Sequence, residues 1–313
     1  SYRKDHSMTD DKPYYALDRM LRERFQEKVY KLSLDAGCTC PNRDGTLGTR
    51  GCIFCSAGGS GEFAGDRHLS IPEQLAAQKA LICRKRPVHR FIAYFQAYTN
   101  TYGPEEHLRS AYLAALADPE VCALSVATRP DCLSPRILDL LEECNQVKPV
   151  WVELGLQTIH DRTARYIRRG YPFSCFLQAV EELSKRNLET IVHTILGLPG
   201  ESEKEVLQTM DAINALPVNG IKLQLLHVLR GTDLASDYEK GLFQLLSRDA
   251  YLDLVISCLE HLRPDLVIHR VTGDGPRELL IAPLWSCAKR SVLNNLHRRM
   301  RERGAFQGRL YLP

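Results

Sequence analysis

Four cysteines, Cys38, Cys40, Cys52 and Cys55, fall within 18 residues, and thiolates are the side chains best suited to hold zinc or iron–sulfur clusters. The segment reads GCTCPNRDGTLGTRGCIFCSAGGSGEFAG over residues 37–65. Two chemistries fit it. All four thiolates could close around a zinc ion, which takes such tetrahedral sets and would brace the loop. Alternatively, Cys40, Cys52 and Cys55 could hold a 4Fe-4S cluster and leave one iron without a protein ligand. That iron can be chelated by the amino and carboxylate groups of S-adenosylmethionine. An electron passed through the cluster then cleaves the sulfonium C–S bond and yields a 5′-deoxyadenosyl radical, which can take an unactivated hydrogen. In this second set Cys38 is a bystander, and Phe54 stands where an adenine could lie against it. The seven remaining cysteines (Cys83, Cys122, Cys132, Cys144, Cys175, Cys258 and Cys287) sit in apolar or helical surroundings and read mainly as small buried hydrophobes.

The elements that must position this loop alternate. A strand at Val29–Leu34 leads into the cysteines, and apolar runs at 90–96, 121–127, 150–156, 190–196 and 221–226 read as further strands. Helical patterns lie between them, near 73–85, 105–117, 134–146, 174–187 and 201–215. The pair Ser134-Pro135 supplies one of these helices with an N-cap and a first-turn proline. A helix near 249–262, a short strand at 266–271 and a basic helix near 286–303 complete the chain. Such alternation predicts parallel strands joined by crossover helices. Six units suit an α/β fold of the partial (βα)6 barrel type, with chemistry at the C-terminal strand ends. The expected divisions are an N-terminal extension at 1–24, the barrel at 25–285 and a basic helix and tail at 286–313.

The chain has 313 residues, with 41 Lys+Arg against 38 Asp+Glu, 44% hydrophobic and 25% charged. These globular proportions exclude a disordered or collagen-like chain. No run of about 18 apolar residues exists to cross a membrane. The start, Ser1 to His6, is too polar for a secretory signal, and Met8 could be a native start. A cytoplasmic location follows as an expectation, and it makes structural disulfides unlikely partners for the cysteines. Lys289, Arg290, Arg298, Arg299, Arg301, Arg303 and Arg309 face only Glu302 in local sequence. Such a patch suits a phosphate backbone.

The spacing C-x11-C-x2-C, with Phe54 before the last cysteine, resembles a radical SAM enzyme. Thr128-Arg129-Pro130-Asp131, the run Val152–Thr158, Arg169-Gly170-Tyr171 and Leu229-Arg230-Gly231-Thr232 resemble the branch that includes the Elongator catalytic subunit. The stretch KLSLDAGCTCPNRDGTLGTRGCIFC is similar to a bacterial subfamily of that branch, and the resemblance spans roughly residues 25–285. It implies a TIM-like radical SAM partial barrel, with Cys40, Cys52 and Cys55 as cluster ligands and S-adenosylmethionine as cofactor. The Gly-Gly-Glu-like segment common in such enzymes is missing. Gln96 to Thr101 stand in its place, so Asn100 or a backbone carbonyl would accept from the methionine amino group. Glu153, Gly155 and Gln157 share strand parity, and Glu153 would accept from ribose hydroxyls or the methionine amino group. Its structural alternative is a pair with Arg129. Arg129 would clamp the methionine carboxylate, or else bridge to Glu153 or Asp131. Gln157 and Gln224 complete the expected cofactor contacts, and His193 and Lys222 are weaker candidates.

Enzymes of the Elongator-like branch act on wobble uridines of tRNA. The bacterial subfamily implies removal of the carboxymethyl group from 5-carboxymethylaminomethyluridine, leaving 5-aminomethyluridine. The partners implied are a tRNA anticodon loop, with Tyr98, Tyr102 or Phe63 as stacking residues, and an electron donor such as flavodoxin or ferredoxin. Two other readings compete: a radical SAM enzyme acting on a small molecule such as a tetrapyrrole, and a non-catalytic zinc-stabilised RNA-binding protein.

Overall fold

The computed structural model describes residues 12–85 and 87–313. The polar start with Met8 lies outside the described residues. In chain order the elements are α1 (Leu17–Phe25), β1 (Tyr30–Leu34), α2 (Ile71–Cys83), β2 (Phe91–Phe95), α3 (Glu105–Leu116), β3 (Val121–Thr128), α4 (Pro135–Val147), β4 (Val150–Gln157), α5 (Asp161–Tyr166), α6 (Phe173–Lys185), β5 (Glu189–Leu196), α7 (Glu203–Asn214), β6 (Gly220–Leu225), β7 (Val228–Leu229), α8 (Asp233–Glu239), α9 (Arg248–His261), β8 (Val267–Arg270), β9 (Leu280–Ala282) and α10 (Lys289–Arg303). Local chemistry starts the crossover helices. Ser70 and Ser202 each accept from the N–H of a glutamate three residues on, and that glutamate reaches back to the serine N–H. Both orphan donors are thereby satisfied. Ser134 caps α4 as expected, with Pro135 in its first turn.

Seven parallel strands form one curled open sheet in the order β1-β2-β3-β4-β5-β6-β8. That is one strand more than the six units counted in the sequence, because the short strand after α9 adds along β6. The outward faces of the strands, with Leu32, Phe95, Leu124, Val152, Val192 and Leu223, pack under the helices in the main core. Crossover helices thus cover what a parallel sheet must bury.

The inward side chains stack in layers. At the N-terminal strand ends Ile92, Ala123, Trp151 and Ile191 pack with Leu21 of α1, so the amphipathic first helix plugs the bottom of the half-barrel. One layer up, the same parity brings in Lys31, Tyr94, Ser125, Glu153, His193 and Lys222. Above them Ser33, Gln96, Ala127, Gly155 and Gln224 line a cavity at the C-terminal mouth.

The terminal basic runs behave differently from their local sequence. Arg299 and Arg303 pair with Asp253 of α9 at 3.1 and 2.7 Å, and Arg299 also reaches Asp249 at 2.5 Å. Arg309 pairs with Glu260, and Lys289 with Asp274 at 2.7 Å. In α1, Arg19 pairs with Glu23 and Arg22 with Asp18, while Arg24 reaches Glu189. The expected unopposed patch on α10 is therefore largely neutralised by acids distant in sequence. Arg290, Arg298 and Arg301 remain exposed outside these pairs.

Candidate active site

The cysteine loop leaves β1 at the mouth and is tied down on several sides. Arg43 donates to the carbonyls of Cys55, at 3.0 Å, and of Ser56. Gly51 has φ +73°, and a Cβ there would stand 3.0 Å from the Arg43 guanidinium, so only glycine is free of strain at that position. Asn42 Nδ2 donates to the Arg168 carbonyl at 2.6 Å and lies 3.6 Å from the Cys52 sulfur. The Ile53 N–H donates to the Ile167 carbonyl, and the Ile53 carbonyl accepts from Leu234, both at 3.0 Å. Buried Arg169 donates to the carbonyls of Leu156, Thr158 and Tyr171. The Arg-Gly-Tyr segment is thus fastened to the end of β4.

Cys40, Cys52 and Cys55 line one cavity of about 440 Å³. Burial pushes the Cys52 thiol up to about 11, and the nearby Cys55 and Cys40 add to that rise. Among the described residues, no three His, Cys, Asp or Glu side chains converge as a single metal ion requires. A cubane binds its cysteines through separate irons, so it tolerates thiols set further apart. Cys38 stands apart, 4% exposed in the main core, where burial pushes its thiol up to about 11. The four-thiolate zinc set is therefore not assembled, whereas three thiols opening on one cavity suit a cluster.

The other expected contacts divide. Phe54, Gln157 and Gln224 line the cavity. Gln157 has φ +66°, an unusual conformation for a residue other than glycine, and follows a register shift in β4. Its buried Oε1 has no partner, leaving an acceptor ready for a hydroxyl or ammonium group. Asn100 is fully buried, its Nδ2 donates to the Ala127 carbonyl at 3.0 Å, its Oδ1 has no partner, and it is not among the residues lining the cavity. In the turn after β2, Gln96, Tyr98 and Thr99 line the space.

Arg129 closes its fork on Asp131, with Nε–Oδ1 and Nη2–Oδ2 both at 2.9 Å, and lies over the Tyr171 ring. The bridge to Asp131 is thus the observed alternative, and that edge of the guanidinium is taken. Glu153 departs from both of its expected roles. It is fully buried, Oε1 meets Lys222 at 2.5 Å and His193 at 2.7 Å, and Oε2 meets Lys31 at 3.1 Å and Ser125 at 2.5 Å. A carboxylate has about four lone-pair sites, so these partners leave none for ribose or methionine. Burial alone would raise its pKa, but Lys222, Lys31 and His193 outweigh that and hold the carboxyl well below the usual range.

Some site residues escaped the sequence reading. His227, Arg270 and Asp274 line the cavity from beyond β6 and at and after β8. Strand parity with Lys222 was the one available signal, since Arg270 is its register partner. The glycine-rich segment 58–65 is packed close. A Cβ at Gly59 would meet the Tyr98 ring at 2.4 Å, and one at Gly61 would meet the Ala97 Cβ at 2.5 Å. Close approach accounts for these glycines better than flexibility does. Tyr98 donates to the Ala57 carbonyl at 2.7 Å, and Tyr102 to Asp44 at 2.7 Å. Phe63 lines the cavity and stays 53% exposed.

Two histidines of this site are held neutral. Burial pushes His193 down to about 4, helped by Lys222 and opposed by the Glu153 hydrogen bond. Burial likewise pushes His227 down to about 4, opposed by Asp274. Unfolded histidine titrates near 6.5, so below that pH the unfolded chain binds protons that the fold refuses. Stability is full above pH 6.5 and falls as the pH drops toward 4. At pH 5 the loss is about 2 kcal/mol per histidine. Urea unfolding at pH 7 and pH 5 checks this. Burial also lowers His269 and His297, so His227→Gln should remove only its own share, about 2 kcal/mol at pH 5, and an undiminished loss in that variant would contradict the assignment.

With this geometry in hand, comparisons place the chain among known proteins. The radical SAM superfamily profile matches residues 45–213, and the Radical_SAM C-terminal domain profile matches 218–302. The chain is 45% identical over 301 residues to the uncharacterized protein YtqA of Bacillus subtilis, covering 96% of this chain and 94% of that one. It is 39% identical to protein YhcC of Escherichia coli K12, covering 94% and 95%. It is 23% identical to Elongator complex protein 3 of Schizosaccharomyces pombe over 221 residues, 69% of this chain and 39% of that protein. Among solved structures, the Methanocaldococcus infernus Elp3 superposes with a TM-score of 0.68 at 16% identity, covering 89% of this chain and 64% of that one. That likeness is one of fold. No described helix is long and apolar enough to cross a membrane.

Proposed function

This chain belongs to the radical SAM superfamily, on the branch that includes Elongator complex protein 3, and on that premise we propose that it modifies the wobble uridine of tRNA. The reaction is removal of the carboxymethyl group from 5-carboxymethylaminomethyluridine, leaving 5-aminomethyluridine. The cofactors of this superfamily are a 4Fe-4S cluster and S-adenosylmethionine, which together would supply a 5′-deoxyadenosyl radical. Loss of a hydrogen from the carboxymethyl carbon next to the amine, with return of one electron, would leave an imine that water hydrolyses to 5-aminomethyluridine and glyoxylate. Cys40, Cys52 and Cys55 hold the cluster. Phe54 would stack on the adenine, and the unpartnered Oε1 of Gln157 would accept from a hydroxyl or ammonium group of S-adenosylmethionine. Gln224 offers a further polar contact from β6. Arg43 sets the loop and places positive charge beside an anionic cluster. Glu153 acts on the site indirectly, by anchoring Lys31, Lys222 and His193.

The observation that carries this reading is the cavity itself, in which three cluster-type cysteines share one space of about 440 Å³ with a polar, charged interior. That volume suits a base turned out of a single-stranded loop, and exposed Phe63 at its edge is placed to stack on it. Ion pairing across α10 favours a second reading, in which the substrate is a small molecule, because the expected phosphate-binding face is largely spent.

One assay separates the two. Anaerobically reconstituted protein, dithionite and S-adenosylmethionine are incubated with tRNA carrying 5-carboxymethylaminomethyluridine, and nucleosides are read by mass spectrometry. The expected result is conversion to 5-aminomethyluridine with matching release of 5′-deoxyadenosine. It should weaken steeply between 50 and 200 mM salt. An unchanged nucleoside profile, with 5′-deoxyadenosine release indifferent to tRNA, would overturn the reading.

A further inference from the structure

The floor of the cavity carries more positive charge than its protein partners balance. Lys31 and Lys222 share the single carboxylate of Glu153. Arg270 lines the same space, half-buried, and makes no hydrogen bond or ion pair among the described residues. The carboxylate of the following segment, Asp274, is closed on Lys289 at 2.7 and 2.8 Å. His227 stands beside it with its Nε2 buried and unpartnered. Its ring is gripped by two glycines, since a Cβ at Gly273 or Gly275 would come within 2.7 or 3.1 Å of it. Asp274 feels the Arg270 charge but makes no hydrogen bond to it, and a buried ring nitrogen with no partner and a guanidinium with no hydrogen-bonded acceptor are both costly in a partly dry site. An anion would satisfy both.

We propose that Arg270, with Lys222 and His227, forms a carboxylate-binding subsite on the β6–β8 side of this cavity, and that it takes the carboxylate of the substrate's own reacting side chain. The planar fork of Arg270 matches two carboxylate oxygens. Lys222, its register partner on β6, and neutral His227 add donors. The assignment of that carboxylate to the substrate rests on the wobble-uridine reading, whereas the existence of the subsite does not. It gives the enzyme a way to prefer the carboxymethylated side chain over the shorter aminomethyl product, which lacks the anion.

The test uses cluster-loaded protein and three variants, Arg270→Gln, Arg270→Lys and His227→Gln. Trifluoroacetate serves as a small carboxylate probe, read by broadening of its fluorine resonance, with inorganic phosphate as competitor. Wild-type protein should broaden the signal, Arg270→Gln should abolish the broadening, and Arg270→Lys should restore part of it. Turnover of tRNA carrying 5-carboxymethylaminomethyluridine should fall roughly 100-fold in Arg270→Gln and less in Arg270→Lys. Equal broadening in Arg270→Gln would overturn the subsite, and preferential displacement by phosphate would overturn its carboxylate character. Loss of S-adenosylmethionine binding in Arg270→Gln would overturn the substrate assignment and give the subsite to the methionine carboxylate. If the probe binds through Arg270 and no tRNA is converted, the wobble-uridine reading fails while the subsite stands.

Discussion

Serine at Cys40, Cys52 or Cys55 reduces 5′-deoxyadenosine formation to background and lowers the iron bound after anaerobic reconstitution, whereas serine at Cys38 leaves both near wild type. The difference comes from position. The first three thiols open on the cavity, while Cys38 is packed in the main core with its thiol held protonated by burial. A hydroxyl there lacks an obvious partner, so Cys38→Ser should cost about 1–3 kcal/mol of stability without touching the cluster. Iron content, the visible spectrum and deoxyadenosine yield, measured on all four variants, decide the matter. Loss of iron in Cys38→Ser equal to that in Cys40→Ser would restore a four-thiolate site and remove the open iron from the mechanism.

The second large effect concerns Glu153. Its carboxylate meets Lys222, His193, Lys31 and Ser125 in the middle layer of the half-barrel. Glu153→Gln removes the charge that makes two inward lysines tolerable. Breaking one side of a buried pair costs about 3–5 kcal/mol, because the uncompensated partner remains. Replacing Glu153 and Lys222 together, as Glu153→Leu with Lys222→Met, removes both charges and should recover much of the loss. Denaturant midpoints of the single and double variants measure the coupling. A single variant within 1 kcal/mol of wild type would mean that water enters this layer and that Glu153 is free to meet ligands.

Much of this was legible in sequence, and the reasons are physical. The strand–helix alternation is a short-range pattern, so β2 to β6 and their crossover helices fall close to where the apolar periods put them. Ser134-Pro135 caps a helix by contacts within one turn. The cysteine loop follows β1, and in a parallel αβ series that alone sends it to the mouth. The surroundings of Asn100 were not legible, because they depend on how the turn after β2 meets β3, and linear order does not encode that contact.

The set of elements, their parallel order and the end of the sheet at which the cysteines lie all follow from local periodicity and chain direction. Which charges remain unspent depends on contacts between distant segments. Arginines on α10 and in the tail that look unopposed in sequence meet Asp249, Asp253 and Glu260 of α9. Glu153, which looks free for a cofactor, is claimed by strands β1, β3, β5 and β6, while Arg270 is left without a hydrogen-bonded partner among the described residues. Ion pairing is fixed by distances of a few ångströms between residues tens to hundreds apart in the chain, so no local reading of charge can supply it.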